Sequence, residues 1–254
     1  MADKTDSNAV AIIPARWGST RFPGKPLADE TGKPLIQHVC ERAARCENIS
    51  RVVVATDDER IRDAVLSFGG EAVLTSPDHP NGSSRLAEAA DILSLPDDCW
   101  VCNIQGDEPE IDPVAVDRTI EHVRNMPGSE VGTLATAFLP HEDPTDPNLV
   151  KVVLDQQGKA IYFSRSVIPF RRDPDSPCPA LLRHIGLYIY RCSFLRSYVK
   201  LPPTPLELAE SLEQLRILEH GFSIAVNVAK VSFQGIDTPE QYQQFVRRYA
   251  DRQG

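Results

Sequence analysis

Short apolar runs alternate with amphipathic segments along the first half of the chain. The runs predict strands at 9–13, 51–55, 72–74 and 100–104, and helical periodicity predicts helices at 34–44, 59–68, 84–95 and 113–125. Strands that alternate with helices at this pitch are typical of a parallel sheet with helices on both faces. Such sheets bind ligands beyond the carboxyl ends of their strands, so the polar residues that follow each strand are candidates for a site.

The pattern changes from Val131 onward, where strands follow one another with few helices between them. The later elements are predicted as strands at 132–138, 150–154, 160–163, 185–190 and 223–228, and as helices at 206–220 and 239–248. No linker, repeat or low-complexity tract divides the chain. We therefore predict a single α/β domain over residues 1–254, with a mostly parallel central sheet and an antiparallel insertion.

Composition and charge exclude several classes of protein. No segment approaches the ~20 apolar residues of a membrane helix, and no apolar stretch precedes Val10, so neither a membrane span nor a secretory signal is predicted. The net charge of −9 argues against a nucleic-acid-binding face. Six scattered cysteines include one CxxC, formed by Cys99 and Cys102, and are predicted to be reduced thiols in a cytoplasmic protein.

A loop of local positive charge follows the first strand. Arg16, Arg21 and Lys25 lie within ten residues, and no acid occurs between Ile12 and Ala28. Glycines and small polar residues in the loop leave backbone N–H groups for an anion, and three prolines stiffen it. A triphosphate needs such a cradle, although a solvated basic surface loop explains the same charges. The spacing matches neither the Walker P-loop nor the G-x-G-x-x-G fingerprint.

The loop Ile12-Ile-Pro-Ala-Arg-Trp-Gly-Ser-Thr-Arg-Phe-Pro-Gly-Lys-Pro-Leu27 resembles the signature of the sugar-acid cytidylyltransferases. Further motifs extend the resemblance in the same order over residues 9 to 245: Ala55-Thr-Asp57, Asn103-Ile-Gln-Gly-Asp-Glu-Pro109, Tyr162-Phe-Ser-Arg165, Arg183-His-Ile-Gly-Leu-Tyr188, Leu212-Glu-Gln-Leu-Arg216 and Gly235-Ile-Asp-Thr-Pro239. The match is especially close to members that act on 3-deoxy-D-manno-octulosonate (Kdo).

The resemblance implies a Rossmann-like nucleotide-diphospho-sugar transferase fold. Residues 9–130 would form its nucleotide-binding half, residues 131–238 a sugar-binding and dimerisation portion, and residues 239–254 a terminal helix. The implied reaction is transfer of CMP from CTP to the anomeric hydroxyl of Kdo, giving CMP-Kdo for lipopolysaccharide biosynthesis. The resemblance further implies a homodimer. Binding to nucleic acid or to a membrane is not expected.

The resemblance also implies a Mg²⁺ site at Asp107 and Asp237, which act with Arg16 and Lys25 in catalysis. Magnesium on a nucleotide takes one or two protein carboxylates, so two aspartates distant in sequence could share one ion. Asp237 precedes a helix and could instead be its N-cap. Glu108, next to Asp107, is a competing ligand.

Two binding sets follow from the family. The nucleotide-binding set comprises Pro14, Ala15, Arg16, Arg21, Lys25, Asn81, Ser83, Arg85 and Gln105. The sugar-binding set comprises Gln105, Arg165, His184, Tyr188, Glu213 and Gln214. An arginine can clamp the sugar carboxylate with two hydrogen bonds, and the other side chains suit hydroxyls. Taken singly, Tyr188 and His184 fit ordinary interior positions equally well.

One segment departs from the family pattern. The family shows His-x-Ser-Gly-Thr-acid-Arg near the base and ribose, where this chain has His79-Pro-Asn-Gly-Ser-Ser-Arg85. The replacements keep hydrogen-bonding groups but lose the acid, which weakens the expectation of strict CTP preference. Alternatives are a cytidylyltransferase for another acidic sugar, such as a sialic acid or an amino analogue of Kdo, and a non-catalytic nucleotide-binding protein on the same fold. No general base is assigned.

Overall fold

A computed structural model describes residues 9–18, 21–173, 175, 179–231 and 235–252. The backbone groups into two units, one of residues up to 117 together with those from 235, and the other of residues 118–231. The helix α4 (Pro113–Asn125), whose bounds were predicted correctly, contains the boundary. Ser19, Thr20 and Cys178, which belong to predicted loops, lie outside the described residues.

Four parallel strands form the sheet of the first unit. They are β1 (Ala9–Ala15), β2 (Ile49–Thr56), β3 (Glu71–Leu74) and β4 (Trp100–Asn103), in the order β3-β2-β1-β4. The strand β1 lies between β2 and β4, and Ile12 and Ile13 within it are completely buried. The predicted parallel sheet of the first half is therefore confirmed.

Helices connect and flank these strands. They are α1 (Leu35–Ala43), α2 (Glu59–Ser67), α3 (Gly82–Ile92) and the C-terminal α8 (Pro239–Asp251), and a 3-10 helix spans Lys25–Leu27. Leu35 on α1 packs with Ile236, Tyr242 and Phe245 in a buried cluster. The cluster fixes the segment before α8 beside the basic loop, because Phe22 of that loop packs against it.

The second unit contains the antiparallel strands. They are β5 (Val131–Ala137), β6 (Lys151–Leu154), β7 (Ala160–Ser164), β8 (Leu182–Arg191) and β9 (Ile224–Val228). The strand β5 pairs antiparallel with β8 and parallel with β9, and β6 pairs antiparallel with β7 and β8. The predicted antiparallel insertion is confirmed.

The helices of the second unit differ from the prediction. A short helix α5 (Cys192–Tyr198) was not predicted, and the single helix expected at 206–220 is wrong. It is two helices, α6 (Pro205–Glu210) and α7 (Gln214–Glu219), separated where Ser211 adopts a left-handed backbone with φ of 51°. The break turns the carbonyl groups of Glu210 and Ser211 toward the guanidinium group of Arg165, which donates to both.

The cysteines behave as predicted where the structure describes them. Cys40, Cys46 and Cys102 are buried thiols, and no disulfide joins the five cysteines of the described residues. Burial, followed by the charge of Glu41, raises the pKa of Cys40 to about 12. These thiols are therefore protonated and poorly reactive at neutral pH.

Candidate functional site

Two loops of the first unit lie side by side at the carboxyl ends of β1 and β4. A Cβ atom on Gly106 would lie only 2.7 Å from the carbonyl oxygen of Pro14, so only glycine permits this approach. Pro14 and Ala15 end β1, and the exposed Arg16 follows them directly. Gln105 begins the other loop, where its carbonyl oxygen accepts the N–H of Glu108 at 3.2 Å.

Lys25 brings the two predicted metal ligands together. Its Nζ lies 2.7 Å from Oδ2 of Asp107 and 3.6 Å from Oδ1 of Asp237, and it donates to the carbonyl oxygen of Ile236 at 2.6 Å. Arg21 approaches the other oxygen of Asp237 at 3.2 Å. Three segments far apart in sequence thus place two cations and two carboxylates around one point.

The alternative interpretation of Asp237 as a helix N-cap is wrong. Thr238 caps α8, since its hydroxyl accepts the N–H of Gln241 at 3.3 Å and the Gln241 side chain accepts the N–H of Thr238 at 3.1 Å. Asp237 contributes only its backbone N–H to this cap, donating to Gln241 at 2.7 Å. Its carboxylate therefore faces Lys25 and Arg21.

Glu108 is less suited than its neighbour Asp107 to bind a metal. Burial, followed by the charge of Asp107, raises the pKa of Glu108 to about 8. Its Oε2 is buried without a hydrogen-bond partner among the described residues, whereas the Asp107 carboxylate is 28% exposed and contacts Lys25. The geometry favours Asp107 over Glu108 as a ligand.

The donor set fits a nucleotide-bound magnesium ion and not an all-protein metal cage. Within the described ranges, no group of three or more His, Cys, Asp or Glu side chains is arranged to bind a metal. Mg²⁺ in nucleotide sites uses one or two carboxylates and completes its shell with phosphate oxygens and water. Asp107 and Asp237 supply such a pair.

The basic loop is tethered to α2 through a residue that the sequence interpretation left without a role. The guanidinium carbon of Arg60 lies 3.5 Å from the ring centroid of Trp17. Arg60 is held in turn by Asp58, which accepts from it at 2.9 and 2.6 Å. A Cβ on Gly24, whose φ is 70°, would lie 3.0 Å from the same indole ring. The exposed Arg16 and Arg21 thus extend from a loop with fixed ends.

The predicted base- and ribose-binding segment forms the start of α3. Asn81 is the N-cap, with its side-chain oxygen accepting the N–H of Ser84 at 3.0 Å, and Ser83 is buried. A Cβ on Gly82 would lie 3.8 Å from the Pro14 ring, so this helix start adjoins the end of β1. The side-chain oxygen of Asn81 is used by the cap, and its backbone oxygen accepts the Ser84 hydroxyl at 3.0 Å.

Arg85 has structural partners that the sequence did not reveal. Its buried guanidinium group donates to Asp57 at 2.8 Å and to the hydroxyl of Thr75 at 2.5 Å. Both partners follow strands of the parallel sheet, so Arg85 joins the ends of β2 and β3 to α3. Its assignment to the nucleotide stays a prediction.

In the second unit, His184 and Tyr188 lie on the same face of β8. Their ring centroids are 5.4 Å apart, and Phe163 packs edge-on against His184 at 5.0 Å. The Tyr188 hydroxyl is buried and has no hydrogen-bond partner among the described residues. A buried donor without a partner is costly, and the predicted binding of a ligand group by this hydroxyl would satisfy it.

His184 is neutral, and its hydrogen bonds fix the tautomer. Burial lowers its pKa to about 3. Its Nε2 lies 2.9 Å from the hydroxyl oxygen of Thr133, whose single proton is directed to the carbonyl oxygen of Leu187 at 2.7 Å. Nε2 must then donate to Thr133, and Nδ1 is left as an acceptor. An imidazole with this pKa can accept a hydrogen bond from a hydroxyl group but is too weak a general base at neutral pH.

The remaining predicted sugar residues lie on the segments around α6 and α7. Glu213 precedes α7, and Gln214 is buried at its start. The charge of Glu213 contributes to raising the pKa of Tyr188, after burial and two neighbouring tyrosines, so Glu213 and Tyr188 are close. Their assignment to the sugar stays a prediction.

Arg165 is engaged by the protein itself. Its guanidinium group donates to the carbonyl oxygens of Pro147 at 2.8 Å, Glu210 at 2.7 Å and Ser211 at 3.2 Å. The fully buried Lys151 contacts the Arg165 carbonyl oxygen and so fixes the same loop. These contacts give Arg165 a structural role, and its predicted grip on a sugar carboxylate would require some of them to be exchanged.

None of the helices in the described parts of the chain combines the length and the apolar character that crossing a membrane requires.

Comparison with known proteins identifies the family of this chain. Residues 10–225 match the family model described as cytidylyltransferase. The 3-deoxy-manno-octulosonate cytidylyltransferase of Syntrophobacter fumaroxidans is 50% identical over 93% of this chain and 95% of its own. The 8-amino-3,8-dideoxy-manno-octulosonate cytidylyltransferase of Shewanella sediminis is 46% identical over 92% of this chain and 95% of its own.

A solved structure shares the fold along nearly the whole chain. It is the CMP:2-keto-3-deoxy-manno-octonic acid synthetase complexed with CTP, which superposes with a TM-score of 0.90 at 42% identity and covers 97% of this chain and 100% of its own. The sequence resemblance, the family model and the fold therefore lead to one conclusion. This chain belongs to the cytidylyltransferase family, whose members are nucleotidyltransferases.

Proposed function

We propose that this protein transfers CMP from CTP to the anomeric hydroxyl of Kdo, releasing pyrophosphate. The observation that carries the proposal is the convergence of Lys25 and Arg21 on Asp107 and Asp237 at the edge of a parallel sheet. The relatives and the solved synthetase, whose names specify an octulosonate or octonic acid, support the choice of sugar.

The triphosphate belongs in the cradle of the first unit. Arg16 and Arg21 are exposed at its rim, and Lys25 lies at its base with only 12% of its side chain exposed. Cations fixed in advance stabilise the charge that builds on the departing pyrophosphate without reorganising during the reaction. Asp107 and Asp237 hold Lys25 and Arg21 in these positions before CTP arrives.

Asp107 and Asp237 would also hold Mg²⁺, because their carboxylates approach the same point and are partly exposed. Bound magnesium supplies Lewis-acid polarisation of the phosphate oxygens. The chain's own contribution is to align CTP and the acceptor and to neutralise charge. His184, whose pKa is about 3, positions a sugar hydroxyl through Nδ1 and leaves the removal of its proton to another group.

The Asp107→Asn variant tests the proposal. Turnover, measured as pyrophosphate release from CTP and Kdo with Mg²⁺, should fall by at least about 1,000-fold, because one of only two candidate ligands loses its charge. The fold should persist, since Asp107 is partly exposed and its main contact is Lys25. Asp98→Asn, on an exposed loop, is the matched control and should be fully active. Near-normal turnover by Asp107→Asn would show that the metal assignment is wrong.

A panel of acidic sugars tests the identity of the acceptor. The relatives include enzymes named for Kdo at 50% identity and for its 8-amino analogue at 46% identity, so both acceptors must be compared. We expect the highest kcat/KM with Kdo, and a higher value with the 8-amino sugar or a sialic acid would assign that substrate instead. CTP, ATP, GTP and UTP as donors would show whether the altered 79–85 segment relaxes the choice of base.

We further propose a cytoplasmic homodimer that pairs through the second unit. Ile161, Phe170 and Leu208 of this unit expose 59%, 87% and 69% of their surface, which is unusual for large apolar side chains. Reduced buried thiols fit the cytoplasm. Light scattering should give twice the chain mass of 28.1 kDa, and a monomer at micromolar concentration would refute the dimer.

A further inference from the structure

A second cationic cavity lies in the first unit, lined by residues from α1, α8 and the loop after Asp107. Its volume is about 250 Å³, enough for a small organic molecule, since one water occupies roughly 30 Å³ of liquid. Arg42, Arg45, Pro109 and Tyr249 are among its lining residues. None of the lining residues belongs to the predicted nucleotide or sugar set.

The cavity has a surplus of positive charge in an acidic protein. Its charged lining residues are Lys33, Arg42, Arg45, Arg252, Glu41 and Glu110. Glu41 forms an ion pair with Lys33 at 2.7 Å, and Glu110 forms ion pairs with Arg252 at 2.9 Å and Arg248 at 2.6 Å. Four cations against two acids leave a local charge of +2, whereas the whole chain carries −9.

Arg42 and Arg45 are the two cations of the lining that no acid neutralises through a described ion pair. Arg42 donates through Nε to the carbonyl oxygen of Ile111 at 2.9 Å. Burial lowers the pKa of Arg42, followed by the charge of Arg45 and, less strongly, that of Arg252, while the charge of Asp112 acts in the opposite direction. Guanidinium groups that repel one another are stabilised by an anion between them.

The apolar side of the cavity is aromatic. Phe245 and Tyr249 pack edge-on against His38, with ring centroids 5.2 and 4.8 Å from its own. Burial lowers the pKa of His38, so the imidazole is mostly neutral at pH 7 and adds nothing to the charge count. A ligand with an apolar or ring-shaped body would pack against Phe245 and Tyr249 while its anionic group meets the arginines.

We propose that this cavity binds the phosphate group of a small phosphorylated molecule, at a site separate from the triphosphate cradle. A phosphate monoester carries close to two negative charges at neutral pH, which matches the surplus of +2. Its several oxygens can accept from more than one guanidinium group at once, as Arg42 and Arg45 require. Arg45 and Arg252 are the exposed cations of the lining and are therefore accessible to a ligand from solvent.

The test uses calorimetry on the full chain with inorganic phosphate and phenyl phosphate as probes and phenol as the uncharged control. Because phosphate could also enter the triphosphate cradle, titrations are run on protein saturated with CTP and, independently, on an Arg16→Gln/Arg21→Gln variant. Saturable 1:1 binding is expected in both, tighter for phenyl phosphate than for inorganic phosphate. The titration of the Arg16→Gln/Arg21→Gln variant measures binding to the cavity even if the chain does not bind CTP.

Variants of one exposed arginine locate the binding. Arg45→Gln should weaken phenyl phosphate binding at least tenfold, and Arg45→Lys should restore part of it. Arg247→Gln removes an exposed cation from α8 that does not line the cavity, and should leave binding unchanged. The proposal is overturned if the probes do not bind, if CTP abolishes their binding, or if Arg45→Gln binds as tightly as Arg247→Gln.

Discussion

At the scale of single residues, the protein uses burial to set the state of a histidine. His184 is enclosed by Phe163 and Tyr188, and burial lowers its pKa to about 3. His184 takes up a proton below about pH 6.5 in the unfolded chain, but only below about pH 3 in the folded chain, because burial lowers its pKa. The stability that depends on neutral His184 is therefore present above pH 6.5 and is lost as the pH falls toward 3.

His184→Asn should remove this pH dependence. The variant lacks the ring packing and is less stable at pH 7, but the difference in free energy of unfolding from the wild type should shrink between pH 6.5 and pH 4. The limiting slope is about 1.4 kcal/mol per pH unit. Chemical denaturation across this range measures it, and His141→Asn at an exposed position is the control for the effect of a His-to-Asn substitution as such. A constant difference would mean that His184 titrates normally.

The sequence identified residue types well at this scale but not their partners. Lys25, Asp107 and Asp237 were expected to share a site, and the structure brings their side chains together. Arg165 and Arg85 were assigned to ligands, yet one donates to three backbone carbonyls and the other to Asp57 and Thr75. A sequence motif predicts that an arginine belongs to a site. It does not predict which acceptors the guanidinium group will contact in the folded protein.

At the scale of elements, periodicity located nearly all strands and helices, because apolar alternation reports burial directly. It missed the break at Ser211. Residues 206–220 keep a helical pattern of apolar residues on both sides of the break, and no glycine marks the left-handed residue. The break is stabilised by tertiary contacts, since Arg165 donates to the carbonyl oxygens that a continuous helix would have paired. Contacts of this kind are invisible to local sequence patterns.

The tether between the basic loop and α2 allows a prediction at the same scale. Trp17→Ala removes the ring that Arg60 covers at 3.5 Å, and the loop bearing Arg16 and Arg21 loses one fixed end. An exposed cation–π contact contributes about 0.5–1 kcal/mol, so the KM for CTP should rise roughly two- to fivefold. The KM for the sugar acid should not change.

Steady-state kinetics with each substrate varied in turn measures this effect. Arg60→Gln removes the cation but leaves the indole ring, and it should reproduce the change in the KM for CTP to a similar extent. If Trp17→Ala altered both KM values equally, the loop would not be acting on the nucleotide alone, and the tether would have no specific part in CTP binding.

At the scale of the whole molecule, the predicted residues separate by unit. All of the predicted nucleotide-binding residues lie in the unit that contains β1 to β4. The predicted sugar-binding residues Arg165, His184, Tyr188, Glu213 and Gln214 lie in the unit that contains β5 to β9, and Gln105, which is assigned to both substrates, lies in the first unit. The division into units follows the order of the motifs along the chain. It agrees with the prediction that the first part of the chain forms a parallel sheet at which the nucleotide binds.

The separation predicts that substituting a residue assigned to one substrate alone affects only that substrate. Tyr188→Phe removes a hydroxyl that has no partner among the described residues, so the fold should be as stable as the wild type or slightly more stable. The KM for Kdo should rise about 5- to 30-fold, as expected for loss of one hydrogen bond of roughly 1–2 kcal/mol. The dissociation constant for CTP should stay unchanged, because Tyr188 lies in the second unit.

Arg16→Gln provides the reciprocal measurement. It removes an exposed cation of the cradle and should weaken CTP binding, measured by calorimetry without the sugar, while the KM for Kdo at saturating CTP is kept. The two variants together distinguish a division of labour from a general loss of structure, because misfolding would impair both substrates in both proteins. If Tyr188→Phe weakened CTP binding as much as Arg16→Gln does, the assignment of one substrate to each unit would fail, even with the nucleotidyl transfer itself intact.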